Sequence, residues 1–266
     1  MIELQSHSTV SDGQLAPGDV VEAAHAAGVT TLALTDHDAV NGVPEALVAA
    51  ERVGLQLVPA IEVSSVHRDA DDLHVCGYGI DLEAIAPLCE RAQAERIERA
   101  GQICARLREH GVEVQLADAV AEAGGAASVG RPHIAKAAGA RNMNAFFAEY
   151  LVPGAKAFVP RSWPTTAEAV EIIRAAKGTA VFAHPFWDFD DPDRVDALLD
   201  DVDFDGVEVF YPSHTRRQTE FLVQRCRERG LATTASSDFH GPTHKTFSRF
   251  GAYQTFGLGE PELPLA

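Results

Sequence analysis

The sequence predicts an α/β fold with a mostly parallel sheet, interrupted by a helical insertion over residues 83–161. Three observations carry this expectation. Short apolar runs alternate with helical patterns through residues 1–82 and again through 162–266, as strand–crossover–strand units require. Between those stretches strand signals vanish, and Arg and Glu recur at helical spacing. At 266 residues and 46% hydrophobic, the chain is sufficient for a barrel that carries an insertion.

Taken in order, residues 2–5 form a short strand. Pro17 suits a first helical turn, residues 20–27 continue it and Gly28 ends it. Residues 31–35 form a strand that stops at Asp36-His37-Asp38, and a helix over 43–53 closes at Gly54. Further strands are expected over 55–59, 61–64 and 73–77. From Leu82 to about Ala138 the pattern is helical, with a break at Gly124-Gly125, and Phe146, Phe147, Tyr150 and Leu151 add another apolar helical face. Alternation resumes near Trp163-Pro164. A helix over 165–176 starts with Thr165 or Thr166 as cap and Glu168 close behind. Strands over 179–183 and 207–210, a helix over 214–229 and a strand over 232–235 complete the series. The tail after Gly257, rich in Pro and Glu, is expected to be extended.

A mean hydropathy of -0.07 describes a globular chain, and no apolar run is long enough to span a bilayer. No basic-then-apolar leader opens the sequence, so a cytoplasmic protein without an export signal is expected. Cys76, Cys89, Cys104 and Cys226 lack metal-type spacing and read as reduced thiols. The formal charge of -17 argues against a nucleic-acid coat protein or a stable duplex partner. It leaves a phosphate substrate open, because bound divalent cations reverse the local field. The charge is also uneven. Residues 83–161 hold ten Lys and Arg against nine Asp and Glu, net +1, while the remainder holds twelve against thirty, net -18. The insertion is therefore the better place to meet an anion.

The chemistry concentrates at strand ends. His7 and Asp12 follow the first strand, and Asp36, His37 and Asp38 follow the second. Glu62 lies beside the next apolar run and His74 inside a strand. His184 follows the strand over 179–183, and Asp238 and His240 follow that over 232–235. In a parallel barrel the carboxyl ends of the strands converge on one mouth. Imidazole nitrogens and carboxylate oxygens there suit zinc, manganese or iron. Singly these residues read as polar strand ends, and Asp36 and Asp38 as turn residues. Together they read as a metal site, because buried imidazoles and carboxylates need partners.

In this arrangement the chain resembles the PHP (polymerase and histidinol phosphatase) metallohydrolases, in the branch of nucleotide phosphatases and 5′–3′ exoribonucleases. The matching stretches are Glu3-Leu-Gln-Ser-His-Ser-Thr-Val-Ser-Asp-Gly13, Leu34-Thr-Asp-His-Asp38, Ala60-Ile-Glu-Val-Ser64, Leu73-His-Val75, Ala183-His-Pro185 and Ser237-Asp-Phe-His240, in family order. The resemblance implies a distorted (β/α)7 barrel formed by residues 1–82 and 162–266, with 83–161 as a cap over the substrate. It implies two or three divalent ions, manganese first, with zinc or iron as alternatives. One site would use His7, Glu62 and Asp238, a second Glu62 with His74 and His184, and a third Asp12, His37 and His240. Asp36 and Asp38 would orient ligands.

One departure stands out. The family opens with His-x-His, whereas Gln5 occupies the first position here and Glu3 replaces the usual Asp. An amide oxygen is a weaker and harder donor than imidazole, so looser metal binding, or an oxygen-tolerant ion, is expected at the first site. In the insertion, Gly130-Arg-Pro-His-Ile-Ala-Lys136 and Ala157-Phe-Val-Pro-Arg161 match the branch's cap. Arg131 would pair with phosphate and His133 donate a hydrogen bond, with Lys156 and Arg161 as further cations. Arg131 reads equally well as a solvated loop charge before Pro132. His214 resembles a substrate-side histidine, or else a polar residue at a helix start.

The resemblance implies direct attack on phosphorus by a hydroxide held between metals. Asp12, His37, Glu62 and Asp238 would hold the catalytic ions, Arg131 would stabilise charge, and His214 or a bound water would help the leaving oxygen. The substrate would be a 5′-mononucleotide, a 3′,5′-bisphosphate or a short RNA 5′ end. A histidinol-phosphate phosphatase is the alternative on the same scaffold. A non-catalytic module is the alternative from another class, and Gln5 is its support. Nothing in the sequence indicates an oligomeric state.

Overall fold

The computed structural model describes residues 1–125 and 128–265. Seven strands form one sheet in sequence order: β1 (Ile2–Glu3), β2 (Thr31–Leu34), β3 (Gln56–His67), β4 (Ala70–Tyr78), β5 (Thr179–Phe182), β6 (Gly206–Phe210) and β7 (Ala232–Ala235). The sheet closes on itself. Leu4 N–H donates to Ala235 O at 3.1 Å and His7 N–H to Phe239 O at 2.8 Å, so the first strand docks alongside the seventh. The result is a seven-stranded barrel with its apolar lining inside and helices around it.

Each element follows from its local sequence. β2 is four buried residues, Thr31-Leu-Ala-Leu34, covered on both faces as a parallel strand must be. Helix α1 (Pro17–Ala26) begins with proline, whose missing N–H costs nothing in a first turn, and buries Val20, Val21 and Ala24. Helix α2 (Val43–Val53) ends at Gly54, which sits at φ 72° and so closes the helix in the left-handed conformation. The two helices pack together over β2 with Leu32, Leu34, Ala46 and Ala50 between them.

One sequence expectation is corrected here. The strands expected over 55–59 and 61–64 are halves of one strand, β3. Pro59 marks the hand-over: residues up to Pro59 pair with β2, and from Ala60 onward β3 pairs with β4. A residue without N–H is tolerated where the chain changes partner. The sheet is mostly parallel, as expected, with one strand reversed. β1–β2, β2–β3, β5–β6 and β6–β7 are parallel, but β4 is antiparallel to both neighbours. It returns from β3 through Arg68-Asp69, with Arg68 at φ 53°. That pair carries no glycine, so the usual hairpin signal was missing from the sequence.

Between β4 and β5 lie α3 (Leu82–Glu109), α4 (Leu116–Glu122), α5 (Arg131–Ala137), α6 (Met143–Phe146) and a π-helical turn over Phe147–Leu151. Asp81 caps α3 by accepting from Glu83 N and Ala84 N. This segment has an apolar core of its own, including Ile103, Leu107, Val114, Ile134 and Leu151. Helix α7 (Thr166–Ala175) starts with the capping box expected from the sequence, Thr165 with Glu168. The short α8 (Pro185–Asp188) and α9 (Pro192–Asp201) were not anticipated. Helix α10 (Arg216–Arg229) is capped by Thr215, so His214 precedes it rather than opening it. All four cysteines are buried and unpaired.

Candidate metal centre

The barrel places its candidate ligand residues by strand register. Glu62 pairs with Cys76 and Ser64 with His74 across the β3–β4 ladder. Side chains alternate along a strand, so Glu62 and His74 face the same side, into the barrel mouth. Although β4 runs backwards, its early residues lie beside the late residues of β3, which brings His74 to the end where His37 and His184 leave β2 and β5. Asp36 ties the loops together. Its carboxylate accepts from Ser8 N at 2.8 Å, Ser8 Oγ at 2.7 Å and Ser11 Oγ at 2.6 Å. This fixes the turn carrying His7 and Asp12 against that carrying His37. Gly13 lets the turn fold back, since a Cβ there would sit 2.3 Å from His7 O. Asp38, His184 and Asp238 all take positive φ, at 51°, 31° and 54°. Such backbone is costly for residues with a Cβ and clusters at functional sites.

The side chains converge around Glu62. Oε1 lies 2.9 Å from His74 Nδ1 and 3.0 Å from His184 Nε2. Oε2 lies 3.1 Å from His7 Nε2 and 3.2 Å from His37 Nδ1. Asp238 Oδ1 is 3.1 Å from His7 Nε2, and Asp12 Oδ1 is 3.5 Å from His240 Nε2. Three groups have ligand atoms mutually within 4.8 Å: His7, Glu62 and Asp238; His37, Glu62 and His74; and His7, Asp12, His37 and His240. The first is the same set of residues that the resemblance implied for one site. In the others His37 and His7 are shared, and His184 joins through Glu62 and through His74, 3.3 Å away.

These residues fit a cation. His7 Nε2, His37 Nδ1, Glu62 Oε2 and Asp238 Oδ1 are buried without a hydrogen-bond partner, yet point at one another. Unsatisfied buried donors and acceptors are expensive unless something bridges them. Burial pushes the Glu62 carboxyl up, but His37 and His74 outweigh it and hold the group well below its ordinary range. Burial likewise disfavours charge on His184, and Asp188 and Glu62 outweigh it to raise that imidazole. The pocket therefore has the field of a cation site.

Below this centre sits a buried polar floor. Gln5 is buried, with Oε1 3.5 Å from Ser236 Oγ and Nε2 unpartnered. Burial pushes the Glu3 carboxyl up to about 8, against the hydrogen bonds it accepts from Gly251 N and from Ser237 N and Oγ. Burial also pushes Glu208 up to about 7, while it accepts from His184 N at 2.9 Å and Ser236 Oγ at 2.5 Å. These contacts lock the ends of β1, β6 and β7 beneath the ligands.

A cavity of about 550 Å³ opens above the centre, in the range of small-molecule sites. Of the predicted substrate residues, Arg131 lines it, with Nη2 2.5 Å from Asp72 Oδ2. Three others lie elsewhere. Lys156 is exposed and pairs with Glu149 at 2.6 Å, away from the cavity. Arg161 is buried as a strut, its Nη2 on Asp72 at 3.0 Å and its N–H on Asp71. His133 accepts from Gly130 N at 3.0 Å and so caps its own helix. Arg96 and Arg99 line the cavity instead. Their three-residue spacing on α3 marks one helix face, which is readable once that face is known to point at the barrel. Tyr211, also unforeseen, donates to Asp238 Oδ2 at 2.8 Å. Asp188 Oδ2 stands 3.5 Å from His184 Nδ1, one helical turn on.

His214 does not reach the cavity, so the leaving-group role expected for it is corrected. Its Nδ1 donates to Val209 O at 2.9 Å and its Nε2 accepts from Phe186 N at 3.4 Å. Both nitrogens are committed, and the ring holds α8 to β6. Burial lowers its pKa from 6.5 to about 4. A neutral His214 thus supports the fold fully above pH 6.5, and that support is lost as pH falls from about 6.5 to about 4. A His214→Gln variant should lose less melting temperature between pH 7 and pH 4.5 than the parent does. Parallel losses would refute this assignment.

Comparison with known proteins follows the same lines. The PHP domain matches residues 3–143. The 5′–3′ exoribonuclease of Haemophilus influenzae is 34% identical over 251 residues, covering 90% of each chain. The 3′,5′-nucleoside bisphosphate phosphatase of Chromobacterium violaceum is 32% identical, covering 91% of this chain and 87% of that one. The structure of an amidohydrolase from Chromobacterium violaceum, with sulfate bound and no metal, superposes with a TM-score of 0.87 at 30% identity, over 98% of this chain and 93% of that chain.

Proposed function

We propose, because this chain belongs to the PHP-domain family, that it is a metal-dependent phosphoesterase hydrolysing 5′-mononucleotides, 3′,5′-bisphosphates or short RNA 5′ ends. The observation that carries this reading is the convergence of imidazoles and carboxylates on Glu62 beneath an arginine-lined cavity. His7, Glu62 and Asp238 would hold one ion, Glu62, His74 and His184 a second, and Asp12, His37 and His240 a third. Manganese suits this oxygen–nitrogen set, with zinc or iron as alternatives. Such ions, when bound, supply charge for the phosphate and a lowered pKa for water.

The chain's own residues do the rest. Tyr211 holds Asp238 Oδ2 and leaves Oδ1 turned toward His7. Arg96 is fixed by Asp38 and Ser64, Arg99 by Val159 O and Asp71, and Arg131 by Asp72. Held in place, they offer an oriented positive wall to an anion without reorganising. Residues 83–161 serve as the cap that carries this wall. No described helix is long and apolar enough to cross a membrane, and the four buried thiols support a cytoplasmic setting.

The test is phosphate release from 5′-mononucleotides, 3′,5′-bisphosphates, short RNA and histidinol phosphate, with manganese, zinc or iron supplied. Release from a nucleotide or RNA substrate supports the reading. Release from histidinol phosphate alone transfers the site to the other phosphatase, and no release from a folded, metal-loaded protein favours a non-catalytic module. Replacing Gln5 by His should raise the tightly held metal per chain. Equal metal content and equal activity in the two proteins would refute a weakened first site.

A further inference from the structure

We infer that Trp187 is a stacking platform for the nucleobase of the substrate whose phosphate reaches the metal centre. The inference rests on the nucleotide reading above and assigns the part of the site that would recognise the base. Trp187 is 54% exposed, the one aromatic among the exposed large apolar side chains of the described residues. It also lines the cavity. A bare indole at a cavity rim is an apolar surface left for a ligand, not for the core. The other tryptophan is accounted for: the Arg91 guanidinium lies 3.8 Å over the Trp163 ring.

The main chain that carries the indole is held in place. The Trp187 backbone N–H donates to His184 O at 2.8 Å, which sets that main chain one turn past a candidate ligand residue. His214 holds the same turn through Phe186 N. Beside the indole lies Phe247, its ring centroid 5.5 Å away and tilted by 59°. Phe247 is bound by its backbone to His240 N and stands 5.6 Å from that imidazole. The tilt makes a corner rather than a closed stack, and the indole stays 54% exposed. An aromatic strip therefore runs from the ligand His240 through Phe247 to Trp187. A nucleotide is built with the same order, an anionic end and a flat apolar one. Base–aromatic stacking tolerates any base and favours none by hydrogen bonding.

Two measurements test this. In EDTA, where no turnover occurs, AMP should quench the protein's tryptophan fluorescence, ribose 5-phosphate should not, and Trp187→Phe should abolish the quench. With metal, Trp187→Ala should raise the ratio of KM for AMP to KM for ribose 5-phosphate about tenfold, with Trp187→Phe recovering most of it. Turnover of nucleotides with no quench and no change in that ratio overturns the platform and leaves the nucleotide reading standing. A Trp187-dependent quench without nucleotide turnover keeps the platform and overturns that reading. Absence of both overturns both.

Discussion

Exchanging Glu62 for Gln is expected to lower kcat on the order of a thousandfold and to strip most bound metal. Among the described residues, Glu62 is the one whose two oxygens face four imidazoles, two on each side. An amide keeps the shape but presents N–H to nitrogens that already lack acceptors, and it removes the negative charge that holds cations between them. The loss should therefore appear in metal content as well as in rate. Turnover at saturating manganese, together with elemental analysis, would check it. A variant that keeps both would displace Glu62 from the centre of the site.

Removing Asp38 should produce the largest fall in stability. Asp38 is fully buried and accepts from Ser64 N at 2.8 Å and Arg96 Nε at 2.6 Å, with Arg161 Nη1 at 3.8 Å. Burial opposes its ionisation, but Arg96 and Arg161 prevail and hold its carboxyl below the usual range. Its stabilising contribution is present above the ordinary carboxylate pKa and fades as pH falls below it. In Asp38→Ala the Arg96 guanidinium loses its direct carboxylate partner and Arg161 keeps only Asp72, a change that costs about 3–5 kcal/mol. For a chain of this size that is roughly a 10 °C fall in melting temperature. A fall of a degree or two would show that Ser64 and Asp72 suffice to hold the two arginines.

Much of the barrel was legible because its signals are local. Pro17, Gly54 and the Thr165–Glu168 pair each set a helix boundary by their own backbone chemistry. The convergence of the candidate ligand residues was legible because most of them lie within, or a few residues past, a recognisable strand. What escaped depends on contacts far along the chain. Pro59 reads as a strand end until β4 is known to take over from β2. His214 reads as a substrate residue until Val209 O and Phe186 N are seen to occupy it. Arg161 and Lys156 are alike as sequence. The partners Asp72 and Glu149 send one into the interior and the other to the surface. Whether Arg96 and Arg99 are surface charges or cavity wall depends on how α3 lies across the mouth, and helical periodicity does not encode that.

The closure of β1 on β7 also governs when the protein becomes able to work. Gln5 and Ser236, neighbours beneath the centre, are 231 residues apart in the chain. On the ribosome, His7, His37, Glu62 and His74 emerge long before Asp238 and His240 exist. Pairings between such distant segments form late and slowly. A nascent chain thus displays part of the set of donors with nothing to enclose them, and the groups that need Asp238 and His240 are complete only after the seventh strand zips to the first. In the proposed sites, loading at those groups belongs to the finished polypeptide, and a fragment stopping short of β7 would lack them.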